Sequence, residues 1–479
     1  MLTKLKNKWN SVPLTVKVST AYTVCSILQR CLSFITLPVF TRILTQEQYG
    51  QYTIYSSWLG IFSIILTLNL AYGSFSTAMV KYEDRRDEYI SSIQGICVML
   101  SAVFLLIYFP FRSAINRLLE LPTALVVVMV LEILFSTSTM LWSGKKRFEF
   151  KYKSVVTVTL ATAVISVGAA LLLVNNSEEK GYARILGYSL TTIAFGGSIF
   201  ILNQVKGKKL YNKEFWSYAF RFNIPLLAYY FSQVIFNQSD RIMISHINGQ
   251  DKAAMYGVAY NFAMILSFVL NAINNSYIPW VYEKIKADKM RDNRKVSCYI
   301  AILMAVLILA VIWFAPEIIT IMAGKSYMDA VWVVAPVAIS LLLLFYAQLF
   351  INVEFYYEEK KYLVFASIGA AVVNVILNYF AIKRFGFVAA GYTTWFSYII
   401  FAVSNCIAMK KCLAKRKIKD ELFDYKALTA IMAVFTVVSF IGVALYSFMI
   451  VRIAVAVMVC AVILCNFKKL KALFIKLRK

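Results

Sequence analysis

The chain has 479 residues, 60% of them hydrophobic, with 50 Lys and Arg against 24 Asp and Glu and a net charge of +26; its mean hydropathy is +0.68. A water-soluble domain cannot hide that much apolar surface. The basic excess falls in short segments between apolar stretches and in the tails, where anionic lipid headgroups account for it better than nucleic acid, and no nucleic-acid-binding motif is present.

Fourteen apolar stretches follow one another, over about 18–40, 51–72, 89–110, 121–142, 154–174, 183–203, 215–236, 253–278, 298–315, 329–351, 362–381, 387–409, 427–446 and 449–466. Each is long enough to cross a hydrocarbon core of about 30 Å. The fold class is therefore an all-α polytopic membrane protein with about 14 transmembrane helices. The N-terminal tail, every second gap and the C-terminal tail together hold 37 of the 50 basic residues; the gaps in between hold 11, counting Arg184 and Arg452 at the edges of their stretches, and Arg30 and Arg221 lie deeper inside apolar stretches. The positive-inside rule places both termini in the cytoplasm and requires an even number of crossings. The first stretch follows Lys4, Lys6, Lys8 and Lys17, is too long for a signal peptide and lacks a small-residue cleavage site, so it reads as a retained first helix. The largest outer gaps, near 237–252 and 316–330, are too short for an extramembrane domain.

The chain contains an internal repeat. The first helix ends in Leu37-Pro38-Val39-Phe40-Thr41-Arg42 and is followed by Tyr49-Gly50; the seventh ends in Ser239-Asp240-Arg241-Ile242 and is followed by Tyr256-Gly257. The copies lie six helices apart and so share one orientation. This predicts two parallel six-helix lobes, 1–210 and 211–412, with residues 413–479 forming two further helices and a basic cytoplasmic tail. Two lobes around a cavity are a transporter architecture.

Polar groups at membrane depth are the candidate site. Arg30 lies about 18 Å into the first helix, where snorkelling is hard and a charge costs about 2.5–3.5 kcal/mol. It reads as a cavity-lining residue, the alternative being a structural ion pair with Glu132. Arg221, one turn before Pro225, is shared between the cavity and the interface. Arg42, Asp240 and Arg241 sit at outer helix ends, where capping and local pairing compete with a gating role. Asn271, Asn274 and Asn275, Gln348 and Asn352, and Asn374 and Asn378 recur at helical spacing. Such amides suit either bonds between helices or sugar hydroxyls. Glu354 and the run Glu358-Glu359-Lys360-Lys361 fall at a cytoplasmic helix end. His246, the sole histidine, is expected in an outer loop, away from any buried proton relay. The eight cysteines form no CxxC pair and no metal-ligand cluster, and no phosphate-loop, serine-hydrolase or HExxH motif occurs. The reading is a transporter without a cofactor, not an enzyme.

The stretch from Arg30 to Gly50, with Pro225, Asp240-Arg241 and Tyr256-Gly257, resembles the polysaccharide-transporter family, the Wzx-type oligosaccharide flippases, and the helix plan extends the resemblance over the whole chain. The resemblance implies two six-helix lobes, as in the wider multidrug and oligosaccharidyl-lipid exporter superfamily. It implies a substrate too: an undecaprenyl-pyrophosphate-linked repeat unit moved to the outer leaflet of a bacterial plasma membrane for capsule, exopolysaccharide or O-antigen synthesis. It also implies a polysaccharide polymerase and a chain-length regulator as partners, and a cationic lumen falling here to Arg30 and Arg221. A coupling gradient of protons or sodium ions stays open. The competing readings are a multidrug exporter, which favours acidic residues in the cavity, and a membrane polymerase, which favours a large outer loop.

Overall fold

The structure is a computed structural model that describes residues 14–359, 361–418 and 422–455. Among the described residues there is no strand. The α-helices run, in chain order, α1 (Leu14–Ile43), α2 (Gln46–Thr67), α3 (Phe75–Lys81), α4 (Arg86–Tyr108), α5 (Arg112–Leu119), α6 (Thr123–Phe148), α7 (Tyr152–Asn175), α8 (Lys180–Gly207), α9 (Lys213–Asn248), α10 (Gln250–Ala263), α11 (Ser267–Lys286), α12 (Asp292–Trp313), α13 (Ala315–Met322), α14 (Val331–Tyr356), α15 (Lys361–Phe385), α16 (Ala389–Lys415) and α17 (Tyr425–Ala444).

Each of the first thirteen apolar stretches coincides with a helix, except that the eighth is divided between α10 and α11 by a 3-10 turn over Met264–Leu266. Among the described residues, eleven helical segments are long and apolar enough to cross a membrane. Helices α2 and α9 are long enough at 22 and 36 residues but carry more polar side chains. Most of the expected last span, 449–466, and the basic tail after it lie outside the described residues.

Local chemistry moves several boundaries. Helix α2 starts at Gln46 rather than 51, because Thr45 and Gln48 form a capping box: the Thr45 hydroxyl accepts from the Gln48 N–H at 3.2 Å and the Gln48 side chain accepts from the Thr45 N–H at 3.1 Å. Helix α9 starts at an Asn212 cap whose Oδ1 accepts from the N–H groups of Glu214 and Phe215. It then continues to Asn248. The expected outer gap near 237–252 is thus mostly helix, and His246 sits in its last turn instead of a loop. The gap near 316–330 is likewise filled, by α13 and a 3-10 turn over Lys325–Ala330.

The chain divides into two compact units, Met1–Ala254 and Met255–Lys479. This division falls later than 210/211, since α9 packs on α2 and α4 of the first unit. In the first unit, α8 packs against α4, α6 and α7. One apolar core joins Phe75, Met79, Tyr89, Ile93 and Phe215. A second joins Tyr55, Tyr108, Val126, Met129 and Ile185. In the second unit α14 is the central helix, packed by α12, α16 and α17. Its most apolar window is 89% buried, against 17% for α7, so α14 is a core helix and α7 presents its surface outward.

Candidate functional site: a hydroxyl-lined cavity and an aromatic-caged arginine

A cavity of 550 Å³ opens within the first unit, a size typical of ligand pockets. Helix α6 contributes Ser136, Thr139, Ser143 and, at its C-terminal end, Arg147. The spacing of three, four and four residues puts all of them on one helix face. Helix α7 adds Thr159 and Thr162, α8 adds Thr192, and α1 adds Gln29. Tyr72, Phe75, Phe148 and Phe195 supply aromatic surface.

The hydroxyls largely satisfy their donors along their own helices. Ser136 donates to the Ile133 carbonyl at 3.1 Å, Thr139 to Phe135 at 3.3 Å, Thr162 to Val158 at 2.8 Å and Thr192 to Tyr188 at 3.0 Å. Their oxygens keep lone pairs for a guest. Arg147 lies over the Tyr22 ring, 4.9 Å from its centroid. The lining includes one full positive charge and no carboxylate. Gly144, also in the lining, lets α6 close on Phe75: a Cβ there would lie 2.4 Å from Phe75 Cε1.

A second constellation joins α1, α2 and α8. Arg184, 5% exposed, stands over three rings: Tyr52 at 3.7 Å, Phe40 at 4.3 Å and Tyr49 at 4.6 Å from their centroids. Its Nε and Nη1 have no hydrogen-bond acceptor, so the ring faces carry much of the charge compensation. Gly50 follows Tyr49 because α2 touches the start of α10: a Cβ would fall 2.1 Å from the Gln250 carbonyl oxygen. The Tyr-Gly pair of the first repeat thus has a physical role in each residue. Nearby, Glu120 takes a hydrogen bond from Ser245 and pairs with His246 Nδ1 at 3.0 Å. Sequence reasoning did not single out Arg184, whose ring partners lie more than 130 positions away.

The residues nominated from sequence distribute as follows. Arg30 is exposed on α1, directly after cavity-lining Gln29. Glu132 on α6 accepts from Tyr55 at 2.7 Å and Ser189 at 2.6 Å, so two hydroxyls hold it. Arg221 and Pro225 are exposed on α9. Arg42 is exposed at the end of α1, and Asp240 is 1% exposed within α9. The Arg241 guanidinium donates to Gln238 Oε1 at 2.6 Å, a partner the sequence did not suggest. In the second unit, Tyr256 is fully buried and Gly257 is buried beside it. Asn271 and Asn275 are exposed on α11, while Asn274 accepts from the Asn352 amide at 2.8 Å. Asn374 and Asn378 are fully buried. Asn378 donates to Asn374 at 3.1 Å, Thr393 donates to Asn378, and Asn374 donates to Thr394 at 3.5 Å. Those amides stitch α15 to α16.

The fold is all-α and multi-pass, and it is shared with solved membrane transporters. It aligns with the lipid II flippase MurJ in an inward closed conformation at a TM-score of 0.68 and 14% identity, covering 94% of this chain and 98% of that one. It aligns with an inward-facing multidrug-resistance MATE family transporter at 0.59 and 12% identity, covering 84% and 100%. The polysaccharide biosynthesis protein family matches residues 16–285, more than half of the chain, and the chain belongs to that family. The MatE family matches residues 225–380. A protein of the Lsg locus of Haemophilus influenzae is 23% identical over 373 residues, 75% of this chain and 89% of that protein.

Proposed function

We propose that this protein is a flippase that carries an undecaprenyl-pyrophosphate-linked oligosaccharide from the cytoplasmic to the outer leaflet of a bacterial plasma membrane. Membership of the polysaccharide biosynthesis protein family carries the reading. The sign of the charge supports it. A pyrophosphate headgroup needs positive compensation away from bulk water, and arginine supplies a fixed charge with forked donors. Arg30 and Arg221 are the cations at depth in the sequence, and Arg147 lines the cavity of the first unit. Alternating access moves the headgroup while the lipid tail stays in the bilayer, and no covalent bond changes. Both termini face the cytoplasm, and a polymerase and chain-length regulator consume the product outside. Either a proton or a sodium gradient, or consumption of the product, resets the cycle.

The match of residues 225–380 to the MatE family favours a second reading, export of a small molecule. The absence of a carboxylate from the cavity lining disfavours a cationic drug there.

A strain lacking the gene, with its sugar transferases intact, separates the two. The flippase reading predicts undecaprenyl-linked glycan accumulating in the inner leaflet, restored by the wild-type gene and not by Arg30→Ala. Repeat units that still reach the outer leaflet in the deletion strain, as they do in its parent, would contradict it and favour the exporter.

A further inference from the structure

We infer that the hydroxyl-lined cavity of the first unit is a saccharide subsite: it takes a sugar ring of the headgroup, with Arg147 at its end facing the adjoining phosphate. The inference rests on the reading of the substrate as a lipid-linked glycan and names where in the chain the glycan is held.

The chemistry of the walls points to a polyol. Small hydroxyl side chains in membrane helices commonly serve close helix–helix packing, but these line an open space, where a polar guest can meet them. Here three helices aim such groups at one space: Ser136, Thr139 and Ser143 from α6, Thr159 and Thr162 from α7, and Thr192 from α8. Most of those hydroxyls donate to their own helix and are left as acceptors. Sugar hydroxyls donate to acceptors of that kind, and the Gln29 amide both donates and accepts. Tyr72 and Phe75 provide flat apolar faces for the C–H surface of a ring. Among the described residues Arg147 is the only cation in the lining, and it closes the α6 stripe, four residues beyond Ser143.

The lining divides the labour. Its hydroxyls recognise sugar and are indifferent to a bare pyrophosphate. That separation makes the assignment testable with the full-length protein in lipid nanodiscs and two probes: glycan-bearing undecaprenyl pyrophosphate extracted from the gene-deletion strain, and undecaprenyl pyrophosphate without sugar. Thr139→Val with Thr162→Val keeps side-chain volume and removes two acceptors. Ser143→Ala is a milder second variant. Melting temperatures within two or three degrees of wild type establish that both are folded. The expected result is a loss of tenfold or more in affinity for the glycan-bearing lipid, with the sugar-free lipid unchanged. Folded variants that bind the glycan-bearing lipid as wild type does, or lose affinity for both lipids equally, overturn the subsite and leave the flippase reading standing. Wild-type protein that binds neither lipid overturns both.

Discussion

The guanidinium of Arg184 lies 3.7 Å from the centroid of the Tyr52 ring, and the two residues are 132 positions apart in the chain. With Phe40 and Tyr49 on its other sides, this arginine ties the N-terminal end of α8 to the junction of α1 and α2. Stacking of this kind needs a planar, weakly hydrated cation, which lysine is not. Arg184→Lys is expected to destabilise the protein by about 1–2 kcal/mol, and Arg184→Ala by about 2–4 kcal/mol. A thermal unfolding series in detergent would show the order wild type, Lys, Ala; a lysine variant as stable as wild type would contradict the cage.

Gly50 and Gly60 occupy the same helix and should respond differently to one methyl group. A Cβ on Gly50 meets the Gln250 backbone oxygen at 2.1 Å, whereas one on Gly60 meets only the Gln238 side chain at 3.5 Å. Gly50→Ala is expected to cost about 1–3 kcal/mol through displaced backbone. Gly60→Ala should be neutral or slightly stabilising, by up to about 1 kcal/mol. Expression level and melting temperature of the two variants compare them directly.

Three lysines surround Glu149 just beyond α6: Lys146 at 3.0 Å, Lys151 at 3.1 Å and Lys145 at 3.2 Å. Burial alone would push the carboxyl up, but the three ammonium groups outweigh it and hold Glu149 down at about 2, against an ordinary 4.5. A depressed carboxyl stabilises the fold above its unfolded pKa, and that gain disappears as pH falls through the folded one. Glu149→Gln is therefore expected to melt below wild type at neutral pH, with the gap constant down to about 4.5 and closing toward 2. A gap independent of pH would exclude this electrostatic role.

Glu132 is an ionisable group in a span that is held by two hydroxyls. Tyr55 and Ser189 both donate to its Oε2, and the same two hydroxyls lie 3.1 Å apart. Removing the Tyr55 hydroxyl takes one of the two donors from this buried carboxyl, so Tyr55→Phe is expected to cost about 1–3 kcal/mol, while Tyr55→Phe combined with Glu132→Leu should cost less than the sum. A double-mutant cycle in thermal stability measures the coupling; additive effects would mean that the triad is not a unit.

Much of this architecture was legible in the sequence because a membrane enforces it: apolar runs of fixed length became helices wherever the structure describes them. The errors share one cause. Averaging hydropathy pulled the start of α2 forward to 51, past a Thr45–Gln48 capping box visible in the residues themselves. It also ended α9 early, because Asn237, Gln238, Ser239, Asp240 and Arg241 look like a loop, although Asn237 donates to the Gln233 carbonyl and Arg241 to Gln238 along the continuing helix. The opening motif contains Phe40 and Tyr49, but these rings surround an arginine that no local pattern connects to them. The cavity was partly legible: the α6 hydroxyls at 136, 139 and 143 have helical spacing, yet only packing shows that α7 and α8 turn threonines toward them.

The most direct test of the account is translocation by purified protein. Vesicles carrying the glycan-bearing lipid on both leaflets would be treated with a membrane-impermeant enzyme that modifies the sugar. The account predicts that the pool protected in empty vesicles becomes accessible when wild-type protein is present, and stays protected with Arg30→Ala. A protected pool that persists in sealed vesicles containing folded wild-type protein, with the gradients of protons and sodium each supplied in turn, would contradict it.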